Sequence, residues 1–89
     1  MVLRFHPRVA RRVKESRWHP SEAVEEQADG YLVWKALVAE PQEMLPWIRG
    51  WGSDVEVLEP ISLRDEMKEE AQRLVDLYNI ESQEKPPSP

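Results

Sequence analysis

The chain has 89 residues, no cysteine and a formal net charge of -5 at pH 7. This length fits one domain with a modest hydrophobic core. The lack of cysteine excludes disulfide scaffolds, thiolate zinc sites and cysteine nucleophiles. No apolar run approaches the roughly 20 residues that a membrane-spanning helix needs, so we expect a cytoplasmic protein with no membrane partner.

The charge is distributed unevenly along the chain. Residues 1–20 contain six basic residues and one acidic residue, which gives this segment a charge of +5 and leaves −10 for the remainder. A bipolar domain of this kind does not suit a general DNA-coating protein, and we expect no direct reading of double-stranded DNA. Its basic end could instead dock an anion or an acidic partner.

A strand and a helix are predicted first. Residues 2–5 form a short β-prone run, and Pro7 supplies a helical φ angle at a first-turn position. The apolar residues Val9, Ala10 and Val13 form one narrow stripe, and arginines occupy the rest of the helix. We therefore expect this helix to be buried on one side only.

Two strand-like runs follow, residues 22–27 and 31–39, with Ala28-Asp29-Gly30 between them. Asp-Gly is a strong short-range signal for a β-hairpin. Apolar side chains fall on both faces of the second run. This pattern predicts a central strand covered on both sides, or one whose second face meets a partner.

A helix is predicted between Pro41 and Gly52. Pro46 requires either a kink in this helix or a later start. Residues 55–58 then alternate like a half-buried strand, which Pro60 closes.

A final amphipathic helix of about four turns is predicted next. Its apolar residues at helical spacing are Leu63, Met67, Ala71, Leu74 and Tyr78. The element order β, α, β, β, α, β, α predicts an α+β fold, a ferredoxin-like βαββαβ sandwich with an additional C-terminal helix. We assign residues 1–79 to this domain and expect residues 80–89 to form a flexible, polar, proline-rich tail.

The segment Trp18-His19-Pro20-Ser21 resembles a catalytic or metal-binding corner. A zinc or iron site needs three or four converging ligands, however, and His6 is the only other histidine. Ser21 lacks the Gly-x-Ser-x-Gly turn of an activated serine, and no Gly-rich phosphate loop is present. We therefore expect no enzyme activity, metal or cofactor, and we interpret the segment as the corner joining the basic helix to the hairpin.

The tryptophans and arginines are the remaining candidates. Trp47 and Trp51 lie four residues apart on one helix face, so burial in the core is a better interpretation than stacking of nucleic-acid bases. Exposed arginines can be a plain solvated face or can contact an anion or a partner. The candidate binding residues are Arg4, Arg8, Arg11, Arg12 and Arg17.

Four motifs, in this order and spacing, resemble the C-terminal extension (WCX) that follows the WYL domain in bacterial transcriptional regulators. They are WHPSE, where the family commonly has glutamine in place of Glu22, then ADG with the hydrophobic strand after it, WIRGWG, and VEVLEPISLR. The likeness covers residues 4–78.

The resemblance implies a regulator with an N-terminal winged helix-turn-helix that holds DNA and a WYL barrel that senses the effector. The extension would support dimerisation and pass the signal on. The implied partners are a second copy, the WYL and helix-turn-helix domains, and an anionic effector or single-stranded nucleic acid facing the basic helix. Because the chain lacks the DNA-reading helices and a Trp-Tyr-Leu motif, we expect it to be part of a longer regulator or a shortened gene product.

Two alternatives to this regulatory module remain. One is a freestanding ferredoxin-like sensor that binds a small anionic or nucleotide ligand through Arg8, Arg11 and Arg12. The other is a small enzyme that uses His19.

Overall fold

The computed structural model describes residues 1–84 of the chain, and side chains through residue 79. The strands are β1 (Val2–Phe5), β2 (Ala23–Glu26), β3 (Leu32–Lys35) and β4 (Val55–Glu59). The helices are α1 (Pro7–Lys14), α2 (Leu45–Gly50) and α3 (Ile61–Glu84), and short 3₁₀ turns at Pro41–Met44 and Gly52–Asp54 flank α2.

The four strands form one antiparallel sheet in the order β2-β3-β1-β4. The halves β1-α1-β2 and β3-α2-β4 each leave a gap between their own two strands, and a strand of the other half fills it. This is the split βαβ arrangement. The predicted α+β class, with a four-stranded antiparallel sheet and an additional C-terminal helix, is confirmed.

The hydrophobic core lies against one face of the sheet. Strand pairing sets Leu3 beside both Trp34 and Val57, so these three side chains lie on the same face. Helix α1 contributes Val9 and Val13 to the same buried cluster. Sequence periodicity therefore predicted the buried stripe of α1 correctly.

The hairpin between β2 and β3 has a three-residue loop, Ala28-Asp29-Gly30, closed by a hydrogen bond of 2.8 Å from Gln27 N to Tyr31 O. Gly30 adopts a φ of +89°, a left-handed conformation that glycine tolerates best. The Asp-Gly prediction is confirmed. Strand β3 ends at Lys35, earlier than predicted, although Ala36 still exchanges backbone hydrogen bonds of 3.0 and 2.8 Å with Met1.

Pro46 lies in the first turn of α2, which begins at Leu45. A first-turn residue has no intrahelical acceptor for its backbone N–H, so proline removes nothing there. The later start, and not a kink, is thus the correct alternative. Pro41 begins the 3₁₀ turn that precedes the helix.

Helix α3 packs along β4 at its beginning. Leu63 is buried, and Met67 packs against the core cluster. The Arg64 guanidinium donates to Val57 O over 2.9 Å. The helix continues to Glu84, so residues 80–84 of the predicted tail are helical in backbone, and residues 85–89 lie outside the described residues.

Candidate functional site

The corner between α1 and β2 is held by the carboxylate of Glu22. Its Oε1 accepts hydrogen bonds from Trp18 N at 2.6 Å, His19 N at 3.0 Å and the Trp34 indole Nε1 at 3.2 Å. The Trp18 indole in turn donates to Val13 O over 2.9 Å. Glu22 therefore joins the WHPSE segment to the central part of the sheet.

The environment of Glu22 favours its ionised form. Burial raises the pKa of this carboxyl, but the hydrogen bonds from Trp18, His19 and Trp34, with the charge of Arg17, outweigh burial and hold the pKa below its ordinary value. The sequence indicated only that a charged residue stands where the family commonly has glutamine. Its three donors come partly from a distant strand, which no local pattern reveals.

His19 and Ser21 contact each other, with Ser21 Oγ 3.0 Å from His19 Nδ1. The same hydroxyl accepts the backbone N–H of Leu37 over 2.8 Å, which fastens the corner to the chain after β3. Such contacts between residues two apart are typical of a stabilised turn. His6 lies elsewhere and accepts the Arg8 N–H as the N-cap of α1.

Candidate metal ligands do not converge in the part of the chain that the structure describes. It contains no group of three or more histidine, aspartate or glutamate side chains that could hold a metal ion.

The five candidate arginines do not form one cluster. Four of them have partners within the chain: Arg4 pairs with Glu56, Arg8 with Asp54, Arg11 with Glu15, and Arg17 donates to Pro20 O. Arg12 forms no ion pair with any carboxylate among the described residues. Much of the positive charge of residues 1–20 is therefore balanced inside the domain.

Arg4 lies on the sheet face opposite the core, beside Glu56 of β4. Its guanidinium is 4.7 Å from the centre of the Tyr31 ring and 3.0 Å from Glu56 Oε1. Glu56 also accepts from Arg64 over 2.8 Å. The Arg64 hydrogen bond and the charges of both arginines outweigh burial and lower the pKa of Glu56. The contacts of Arg4 with Glu56 and Tyr31 therefore give it a structural role within the domain.

Three half-buried tryptophans form a cluster between α1 and α2. The ring centres of Trp18 and Trp47 are 5.6 Å apart, those of Trp18 and Trp51 5.9 Å, and those of Trp47 and Trp51 6.2 Å. They line an open pocket of about 300 Å³, which we call the tryptophan pocket. Its lining residues are Arg12, Trp18, Pro46, Trp47, Gly50 and Trp51.

The tryptophan pocket unites two groups of residues that sequence reasoning kept apart, the arginines and the tryptophans. Arg12 belongs to α1 and Trp47 to α2, so only tertiary packing brings them together. The four-residue spacing of Trp47 and Trp51 was the available signal. Within the described residues, the buried Trp47 Nε1 has no hydrogen-bond acceptor, whereas the indoles of Trp18 and Trp34 each have one.

A second exposed feature lies on the later part of α3. Four large apolar side chains there are at least half exposed, and we call them the distal α3 surface: Leu74 (50%), Val75 (51%), Leu77 (52%) and Tyr78 (64%). No helix within residues 1–84 has the length and apolar character needed to cross a membrane.

Comparison with known proteins identifies the family. No curated protein matches the chain. The family model described as the WCX domain matches residues 1–75, which include the whole sheet, α1, α2, the WHPSE corner and the first part of α3. The chain therefore belongs to the WCX domain family.

Proposed function

We propose that the chain is a non-enzymatic regulatory module of a WYL-type transcriptional regulator, where it supports dimerisation and couples an effector signal. Membership of the WCX family supports a place in such a regulator. The observation that carries the dimerisation role is the distal α3 surface. Its partner in this proposal is the same surface of a second copy.

The distal α3 surface continues the apolar stripe that begins in the core. Leu63 is only 1% exposed, whereas Leu74 and Tyr78, on the same side of the helix, are 50% and 64% exposed. Scattered apolar residues on a surface are ordinary, but four within five consecutive positions form a contiguous patch. Two copies related by a two-fold axis would bury both patches in one self-complementary helix pair.

The signal-coupling role is supported by the way the first half of α3 is fastened. Arg49 of α2 pairs with Glu70 of α3 at 2.9 Å, and Arg64 of α3 bonds Glu56 of β4. A rearrangement of α2 or β4 would therefore change the direction of α3. Because α3 carries the dimer surface, such a change would reach the second copy.

The non-enzymatic role is supported by the arrangement at the corner. The Ser21 hydroxyl is occupied by the Leu37 N–H, and its histidine neighbour contacts it through Nδ1 within one turn. This geometry stabilises a turn.

The proposal is tested by sedimentation equilibrium of the 89-residue chain from micromolar to millimolar concentration. We expect the mass to rise toward that of two chains. Leu74→Glu should weaken the association at least about tenfold, because a charge would be buried without a partner. Ser62→Glu adds the same charge at an exposed position at the beginning of α3, away from the distal α3 surface, and serves as the matched control.

Two results would contradict the dimerisation role. One is the mass of a single chain at millimolar concentration. The other is an equal loss of association in Leu74→Glu and Ser62→Glu, which would indicate a general charge effect. Circular dichroism of each variant establishes that α3 remains helical.

A further inference from the structure

We infer that the tryptophan pocket binds a small planar aromatic ligand that carries an anionic group, a carboxylate or a phosphate. This inference goes beyond the proposed dimerisation role, because the tryptophan pocket and the distal α3 surface share no residue.

The aromatic part of the ligand follows from the walls of the pocket. Trp18, Trp47 and Trp51 are partly exposed, and their ring planes meet at angles of 40°, 86° and 90°. Indole rings at these angles present both faces and edges, the surfaces on which flat aromatic rings pack. A volume of about 300 Å³ is at the lower end for ligand pockets, which suits a small ligand.

The charge of the ligand follows from Arg12. Among the described residues it is the only charged one that lines the pocket, and it pairs with no carboxylate there. Its neighbour Arg11 is paired with Glu15 at 3.7 Å. A guanidinium beside an aromatic wall suits a ligand carboxylate or phosphate, which it can bind with two parallel hydrogen bonds.

Gly50 is a lining residue of the pocket that has no side chain. A Cβ atom added to Gly50 would meet no atom within 4 Å outside its immediate surroundings in the helix. A larger side chain can therefore be introduced at this lining position without a clash at Cβ, and it would compete with a ligand for space beside the tryptophans. Gly50→Leu also favours the helix, since leucine has a higher helix propensity than glycine.

The test uses the indole N–H signals of the ¹⁵N-labelled chain in NMR titrations. One arm uses 2-naphthoate, an aromatic carboxylate, and a second uses adenosine 5′-monophosphate, an aromatic phosphate. At least one should shift the Trp47 and Trp51 indole signals saturably, with a dissociation constant below roughly 1 mM. The arm with the tighter binding shows which of the two probes the pocket prefers. Neutral 2-naphthylmethanol should bind more weakly than 2-naphthoate.

The variants distinguish binding in the tryptophan pocket from non-specific binding elsewhere on the domain. Gly50→Leu should abolish the saturable shifts, and Arg12→Ala should weaken binding about five- to tenfold. Arg11→Ala is the matched control on the same helix and should bind like the original chain. The inference is overturned if neither anion gives saturable shifts, if Gly50→Leu binds normally, or if Arg11→Ala weakens binding as much as Arg12→Ala.

Discussion

The two halves of α3 have similar apolar spacing but different surroundings. In the first half Leu63 is buried, Arg64 bonds β4 and Glu70 pairs with Arg49 of α2. In the second half every residue from 71 to 79 is exposed. Helical periodicity therefore shows which side of a helix is apolar, but not what covers it. Whether neighbouring elements bury the apolar side of α3 depends on how far the sheet extends along the helix, which is a property of the tertiary structure.

The largest expected effect comes from truncating the buried half. Leu63→Ala should lower the free energy of unfolding by about 2 to 5 kcal/mol, because it leaves a cavity in the core. Leu74→Ala should lower it by less than about 1 kcal/mol, since Leu74 is 50% exposed in one chain. Urea denaturation at low micromolar concentration measures both. Equal losses would show that the second half of α3 is packed within one chain.

A smaller effect on the free energy of unfolding is expected from removing the hydrogen-bonded carboxylate of Glu22. Glu22→Ala should lower the free energy of unfolding by about 2 to 3 kcal/mol, because three N–H donors lose their acceptor. Glu22→Gln keeps an acceptor oxygen and should lose about 1 kcal/mol or less. Urea denaturation measures the free energy of unfolding of both variants. A loss in the glutamine variant as large as in the alanine variant would assign the effect to charge alone.

The smallest expected effect concerns pH. The pKa of Glu22 is lowered on folding. This carboxylate therefore stabilises the domain fully above the ordinary glutamate pKa of about 4.3. That contribution is lost as pH falls through the folded pKa. Between pH 7 and pH 3 the original chain should therefore lose more stability than Glu22→Gln. Parallel curves of unfolding free energy against pH would show that Glu22 contributes no such term.

The fold was more predictable from the sequence than the candidate site. The Asp29-Gly30 turn and the stripe of Val9 and Val13 depend on neighbours within a few positions, so local patterns revealed them. Pro46 predicted either a kink in the helix or a later start, and in the structure the helix starts later, with Pro46 in its first turn. By contrast, the partners of Arg8 and Arg4 are Asp54 and Glu56, which only the folded sheet brings close.

The tryptophan pocket was unpredictable for the same reason. Arg12 was a candidate because of its charge, and Trp47 was assigned to the core because of its size. Arg12 and Trp47 line the same pocket because α1 packs beside α2, and the hydrophobic periodicity of the sequence does not predict this packing. Arg12 also differs from Arg11 in having no ion-pair partner among the described residues. A local charge count treats these two residues as equivalent.

The central position of β1 has a consequence for how the chain folds during its synthesis. Leu3 is translated before both of its sheet neighbours, Trp34 and Val57. Pairings between residues so distant along the chain form slowly, because long loops must close first. The apolar residues of β1 therefore cannot pair with both neighbouring strands until nearly the whole domain has been translated. During this interval Leu3 and Phe5 lack the two strands that flank them in the folded sheet.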